Sequence, residues 1–165
     1  MVKEYSSEEG LQKMKELVDT IHTCMFLTNA NEQNHVRPMA TIRTDKNGDL
    51  WFFSELHSEK VGDIKINDAV QLLYSHPGKD AYLDIRGIAS IETNREKIEE
   101  LWSPIVKAWF PRGVDDPDIC LVKVEPENVY YWGSGGGKTI FLLKTVAAAI
   151  SGKKLNEGEE GILMH

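Results

Sequence analysis

An antiparallel β-barrel with short helices at its edges is the fold class this sequence predicts, and three observations carry it. Six or seven strand-like segments follow one another mostly in hairpin order. The first three meander within about 35 residues, the spacing of an all-β barrel or sandwich. Asp45-Lys46-Asn47-Gly48 is a strong hairpin signal, because Asn-Gly supplies the positive φ values a tight turn needs. Helical segments do not alternate with the strands, which excludes a βαβ order and its parallel sheet.

The elements follow in order. Leu11, Met14, Leu17, Val18 and Ile21 share one face at helical spacing, so 7–19 reads as a helix, with Glu8 and Glu9 suited to its positive N-terminal end. Residues 20–28 are apolar and β-branched, a first strand. Residues 29–34 carry turn chemistry. Residues 36–44 read as a second strand, broken early by Pro38, and 50–54 as the third. Ser58 caps a short helix with Val61, Ile64 and Ile66 facing inward. Strands over 69–75 and 81–92 flank a turn at 76–80, and Gly87 marks a bulge or a close backbone approach. Thr93 and Glu96 match a capping box ahead of a helix to about 102, and Pro104 opens a further short helix. A loop at 110–118 precedes two last strands, 119–124 and 128–132, on either side of Pro126. A glycine turn at 133–137 then leads to an apolar helix at 140–150, and 151–165 reads as a loose polar tail.

The chain has 165 residues, one domain by size, spanning 1–165 with the N-terminal helix inside 1–19. Its formal charge of −7 makes the body a poor polyanion binder, which disfavours nucleic acid and anionic membrane as partners. No apolar run reaches the ~18 residues that cross a bilayer. Residues 1–10 are polar and acidic and lack the pattern of a secretory signal. Cys24 and Cys120 stand far apart in apolar segments, two buried free thiols that fit a reducing cytoplasm. The five histidines show no metal-ligand spacing and read as surface or capping residues, so no metal is assigned.

Three constellations bear on chemistry, one of them the aromatic set Trp51, Phe52, Phe53 and Trp132, which would wall a flat ring but reads by default as core packing. Gly135-Gly136-Gly137-Lys138-Thr139 sits where a phosphate-binding P-loop would, but that motif needs its first glycine at 132, where Trp132 stands. A flexible glycine turn is the plainer reading. The third constellation is a split clamp. If the strands either side of Asn47-Gly48 pair, Arg37 comes to lie near Phe53, Ser54 and residues 57–60, which include Ser58 and Lys60. A forked guanidinium, an ammonium, a hydroxyl and the N–H groups of a helix N-terminus each favour a phosphate dianion. The plainer alternative is that the two cations are solvated and Ser58 only a cap.

The residues Arg37-Pro38-Met39-Ala40-Thr41, the hairpin, Trp51-Phe52-Phe53-Ser54 and Ser58-Glu59-Lys60 resemble the flavin-binding half of the pyridoxamine 5'-phosphate oxidase-like split-barrel superfamily. More narrowly, they look like its bacterial general stress protein branch. Arg86-Gly87 within 82–91 and Val129-Tyr130-Tyr131-Trp132-Gly133 add to the likeness, which covers about 20–151. The resemblance implies a mainly β, six-stranded antiparallel split barrel that binds FMN, as a homodimer with two flavin sites at the subunit interface. Arg37, Ser58 and Lys60 would then hold the FMN phosphate. Met39, Ala40 and Thr41 would run along the flavin with backbone groups, Phe53 and Ser54 would touch its ring or ribityl chain, and Trp132 would approach from the partner subunit. Where the oxidases carry an Arg-x-His pair for the vitamin, this chain has Lys138-Thr139-Ile140, and Ile42 replaces a basic residue with Arg43 one position later. The implied function is a cytoplasmic flavin-dependent oxidoreductase of another small substrate. A flavin-holding stress protein without turnover, or the same fold holding a deazaflavin or haem, is the alternative.

Overall fold

The structure, a computed structural model, describes residues 3–4, 7–133 and 159–162. Helix α1 (Ser7–Ile21) follows the two-residue strand β1 (Lys3–Glu4). It runs two residues past the expected 19, because Ile21 continues the face of Leu17 and Val18 and packs on the core. His22, at φ 64°, ends it. Strands β2 (Thr23–Ala30) and β3 (Gln33–Ala40) form a hairpin around Asn31-Glu32, both at positive φ, as a two-residue turn requires.

The expected strand over 36–44 is in fact two. After β3 the chain leaves β2: Thr41 N–H donates to His22 O and Ile42 N–H to Trp51 O. Strand β4 (Arg43–Thr44) then pairs with β5 (Leu50–Glu55) across the Asp45–Asp49 loop. Gly48, at φ 92°, makes that turn, and the Asp45 carboxylate accepts from the N–H groups of Asn47 and Asp49 and from Trp51 Nε1. Strand β3 pairs with β2 alone among the described residues, so it is a free edge where Pro38 is tolerated.

Helix α2 (Glu59–Ile66) buries Val61 and Ile64, but Ile66, expected to face inward, is exposed at its last turn; β6 (Ala69–His76), β7 (Ala81–Glu92), α3 (Arg95–Leu101), β8 (Ile119–Gly133) and β9 (Glu159–Ile162) follow. Asn94, not Thr93, caps α3 by accepting from Lys97 N–H, and only a 3-10 turn at Val106–Ala108 follows Pro104. The two strands expected around Pro126 are one 15-residue strand, β8. A bulge opposite Arg86/Gly87 absorbs the proline: Arg86 faces Asn128 while Gly87 faces Pro126, leaving Glu127 extra. The backbones close so tightly there that a Cβ on Gly87 would lie 2.2 Å from Glu125 O.

The sheet order is β1-β9-β8-β7-β6-β2-β3, with β5 also on β8 and β4 on β5. Six strands of six or more residues build the antiparallel split barrel; β1, β4 and β9 are short additions beyond the expected six. The barrel is split between β3 and β5, which do not pair. Within the expected loose tail, Glu159–Ile162 forms β9 against the end of β8. The expected glycine turn beyond Gly133, the helix over 140–150 and Lys138-Thr139-Ile140 lie outside the described residues.

Phe26, Leu50, Phe52, Leu72, Ile85, Val122 and Tyr131 fill the barrel. Trp51, Ile98, Leu101, Val106, Phe110 and Leu121 form a second cluster between β5, β8 and the α3 segment. Among the described residues no helix is long and apolar enough to cross a membrane.

Candidate functional site

The split in the barrel is where the charged residues gather. Arg37 lies on the inner face of β3 with His35 and Met39, by the two-residue alternation of a strand. Helix α2 packs over β2 and turns Glu59 and Asp63, one helical turn apart, toward the same edge. Asp63 is buried, 6% exposed. The Arg37 guanidinium donates to Thr28 Oγ1 at 2.6 Å, and Thr28 Oγ1 in turn donates to Asp63 Oδ2 at 2.6 Å. His35 Nδ1 lies 2.9 Å from the same carboxylate oxygen, and Arg37 also pairs directly with Asp63 at 3.5 Å and Glu59 at 3.6 Å. Desolvation, the largest influence on Asp63, pushes its pKa up. The hydrogen bonds from Thr28 and His35 and the charges of His35 and Arg37 outweigh it and hold the carboxyl below its ordinary value. The guanidinium is thus aimed by a fixed carboxylate.

Lys60 approaches from the first turn of α2. Its Nζ donates to Ser54 Oγ at 3.1 Å, and Ser54 Oγ lies 3.2 Å from Ser58 Oγ. Ser58 is the N-cap of α2, but its hydroxyl donates to Glu55 O and makes no side-chain cap. The first-turn N–H groups, which have no acceptor inside the helix, are therefore not satisfied by that serine. Half-burial lowers the Lys60 pKa first, and the charge of Arg37 lowers it further. Two cations close enough to repel are thus held beside free helix N–H groups and two hydroxyls. This donor set favours a small anion.

Lys60, Ser54 and Ser58 form one hydrogen-bonded group, and the charge of Arg37 reaches Lys60, but not by the expected strand pairing. Strands β3 and β5 do not pair; α2 bridges them by packing on β2 while its N-terminus continues from β5. The side chains of the other expected residues lie elsewhere. Met39 is buried in the barrel opposite Cys24. Ala40 is exposed on the other face of β3. Thr41 Oγ1 bonds the Tyr74 hydroxyl at 2.6 Å. Phe53 points away from Ser54 into the second cluster, edge-on to Trp102 at 5.8 Å and beside Phe110 at 6.0 Å. Trp132 stands on the outer face of β8, paired with Tyr82 and 39% exposed.

The sequence reading missed Thr28, His35 and Asp63, and passed over Glu59. His35 is a correction: it is not a surface or capping residue but half-buried against Asp63. Strand alternation from Arg37 to His35, and the four-residue step from Glu59 to Asp63, were the available signals. Cys120 faces Ser54 across β5 and β8; burial pushes its thiol up to about 11 against the pull of Lys60, so it stays protonated.

The outer face of the sheet is apolar around Val36, Pro38, Met25 and Leu73, with Val36 49% and Leu73 40% exposed.

A family model described as pyridoxamine 5'-phosphate oxidase like matches residues 9–156. General stress protein 26 of Bacillus subtilis is 30% identical over 81 residues, 47% of this chain and 57% of that protein. The chain spans about half the length of the curated relatives it matches, 57% and 50% of the two. The crystal structure of general stress protein 26 from Bacillus anthracis superposes with a TM-score of 0.65 at 26% identity, over 73% of this chain and 92% of that one. That of the general stress FMN/FAD binding protein from Xanthomonas citri does so with a TM-score of 0.68 at 25% identity, over 80% and 93%.

Proposed function

This chain belongs to the pyridoxamine 5'-phosphate oxidase-like family, and from that premise we propose that it is a cytoplasmic FMN-binding flavoprotein, a homodimer with oxidoreductase activity on a small substrate. The observation that carries the proposal is the half-buried Lys60 bonded to Ser54 beside Ser58 at the start of α2, within reach of the Arg37 charge. Arg37, Lys60 and Ser58 hold the phosphate, Arg37 with its fork and Lys60 as a point charge. Ser54 joins them. The free edge of β3 offers the backbone of Met39 and Ala40 to the flavin, Thr41 follows with its N–H already given to His22 O, and Phe53 contributes through its backbone while its ring anchors the α3 segment. Bound FMN supplies a ring that takes up and returns electrons or a hydride.

The homodimer reading is supported by the exposed apolar side chains of Met25, Val36 and Leu73 on the outer face and by the exposed Trp132. The cytoplasmic placement rests on the two free buried thiols. Flavin binding without turnover is the second reading. It is favoured by His35, the histidine of the site, being committed to Asp63 rather than open to a substrate.

Purified protein should be yellow, or turn so on adding FMN, and mass spectrometry of the released ligand should give FMN rather than a deazaflavin or haem. Colourless protein that takes up no FMN removes the proposal. Reduction by a nicotinamide donor followed by reoxidation supports the enzyme; a flavin no donor reduces supports the second reading.

A further inference from the structure

We propose that Glu59 sets the affinity of the clamp, as a built-in carboxylate that holds Arg37 until an incoming anion displaces it. The inference rests on the flavin-phosphate reading above and gives that site an internal competitor. Arg37 faces two carboxylates at almost the same distance, Asp63 at 3.5 Å and Glu59 at 3.6 Å. What holds each of them differs. Asp63 is buried and fixed by Thr28 at 2.6 Å and His35 at 2.9 Å, so it stays in place whatever binds. The Glu59 side chain is 70% exposed, and its recorded partners are Arg37 at 3.6 Å and His35 at 4.0 Å, ion-pair range but beyond hydrogen-bond length. Glu59 is also the first residue of α2, at the end where Lys60 and the free N–H groups converge.

An anion that reaches Arg37 must therefore exchange with the Glu59 carboxylate. Glu59 moves into water at little cost, because most of its side chain is already there. Its charge nevertheless opposes the anion twice, by occupying the guanidinium beforehand and by repelling the phosphate afterwards. Asp63 acts with the opposite sign: its charge also repels, but it aims the guanidinium, and without it the fork is free to turn away. The two carboxylates are thus separable by experiment. A purely electrostatic site would be strengthened by neutralising either one.

The test is titration of flavin-free wild type, Glu59→Gln and Asp63→Asn with FMN and with riboflavin, which lacks the phosphate, followed by flavin fluorescence. Glu59→Gln should bind FMN about two- to fivefold more tightly, the fold-change expected for an exposed ion pair, and leave riboflavin unchanged. Asp63→Asn should bind FMN more weakly. FMN affinity unchanged or reduced in Glu59→Gln overturns the proposal, whatever becomes of Asp63→Asn, and so does equal tightening in both variants. Thermal unfolding in inorganic phosphate separates this from the flavin reading. If wild type takes up no flavin but phosphate raises the Tm of Glu59→Gln more than that of wild type, the flavin reading falls and Glu59 keeps its role. If phosphate raises neither, both fall.

Discussion

Arg37 on the edge strand β3 and Lys60 in the first turn of α2 lie close enough that the guanidinium depresses the pKa of the ammonium, after the larger effect of burial. Holding two like charges together is unfavourable until an anion sits between them, so Lys60 should weaken the empty protein. Its folded pKa lies below the ordinary 10.5, so the unfolded chain binds more protons between the two values. Wild type should therefore gain stability relative to Lys60→Met as pH rises through that window toward 10.5. At pH 7 the flavin-free variant should melt higher than wild type by about 2 °C and bind FMN about tenfold more weakly. Calorimetry with and without FMN checks both signs. A variant that melts lower when empty contradicts the strain.

Asp63 has a linkage of the same sign in the acid range, but its charged form is the one that stabilises the fold. Its folded pKa lies below the ordinary 3.8, so its contribution is full above that value and is lost as pH falls through the lower folded one. Asp63→Ala leaves the Thr28 hydroxyl, His35 and the Arg37 guanidinium without their shared buried acceptor, at a cost of about 3 kcal/mol at pH 7. Urea unfolding should show the gap between wild type and variant holding from pH 7 down to the ordinary 3.8 and narrowing as pH is lowered further. A gap that stays constant would mean that the carboxylate charge is not what holds the network.

The order of the strands was legible because turns are written locally: Asn47-Gly48 and Gly87 act through their own backbone. What strands 33–40 and 50–55 pair with was not, because partner choice depends on distant chain. Residues 41–42 carry no turn signal, yet the strand ends there, and nothing local says that β3 returns to β2 rather than to β5. Pro126 misled for a related reason. A proline normally interrupts a ladder, and only the facing Gly87, some forty residues earlier, makes room for β8 to pass as one strand. The clamp was visible as charge and helix-cap chemistry in one short segment plus Arg37. Its aiming network was not, since Thr28, His35 and Asp63 sit on three separate elements and only the fold joins them.

Gly87 and Gly62 should respond to the same substitution with opposite signs. A Cβ at 87 meets Glu125 O at 2.2 Å and Pro126 Cα at 3.0 Å, both backbone, so neither β7 nor β8 can yield without breaking the bulge. Gly87→Ala should cost about 3 kcal/mol. A Cβ at 62, inside α2, meets nothing within 4 Å, and Gly62→Ala should stabilise by about 0.7 kcal/mol through helix propensity. Chemical denaturation of the pair measures both. Equal effects would remove the close approach at Gly87 as the reason for its glycine.

The outer face gives the last prediction. Met25 sits between Pro38 of β3 and Leu73 of β6 in the ladder, and Leu73 faces Asp84 of β7. Met25 and Val36 lie on the face of the sheet opposite the barrel core, so a charge there leaves the core packing in place. A second copy seated on this face would bury the exposed Met25, Val36 and Leu73 together. Met25→Lys combined with Val36→Lys should then leave the folded spectrum intact and halve the mass measured by light scattering on a sizing column. FMN affinity should fall with it, because an interface site loses the partner's share when the copies separate. If the double variant keeps the wild-type mass, the subunits meet elsewhere; if it becomes monomeric and still binds FMN as tightly, the flavin site is complete within one chain.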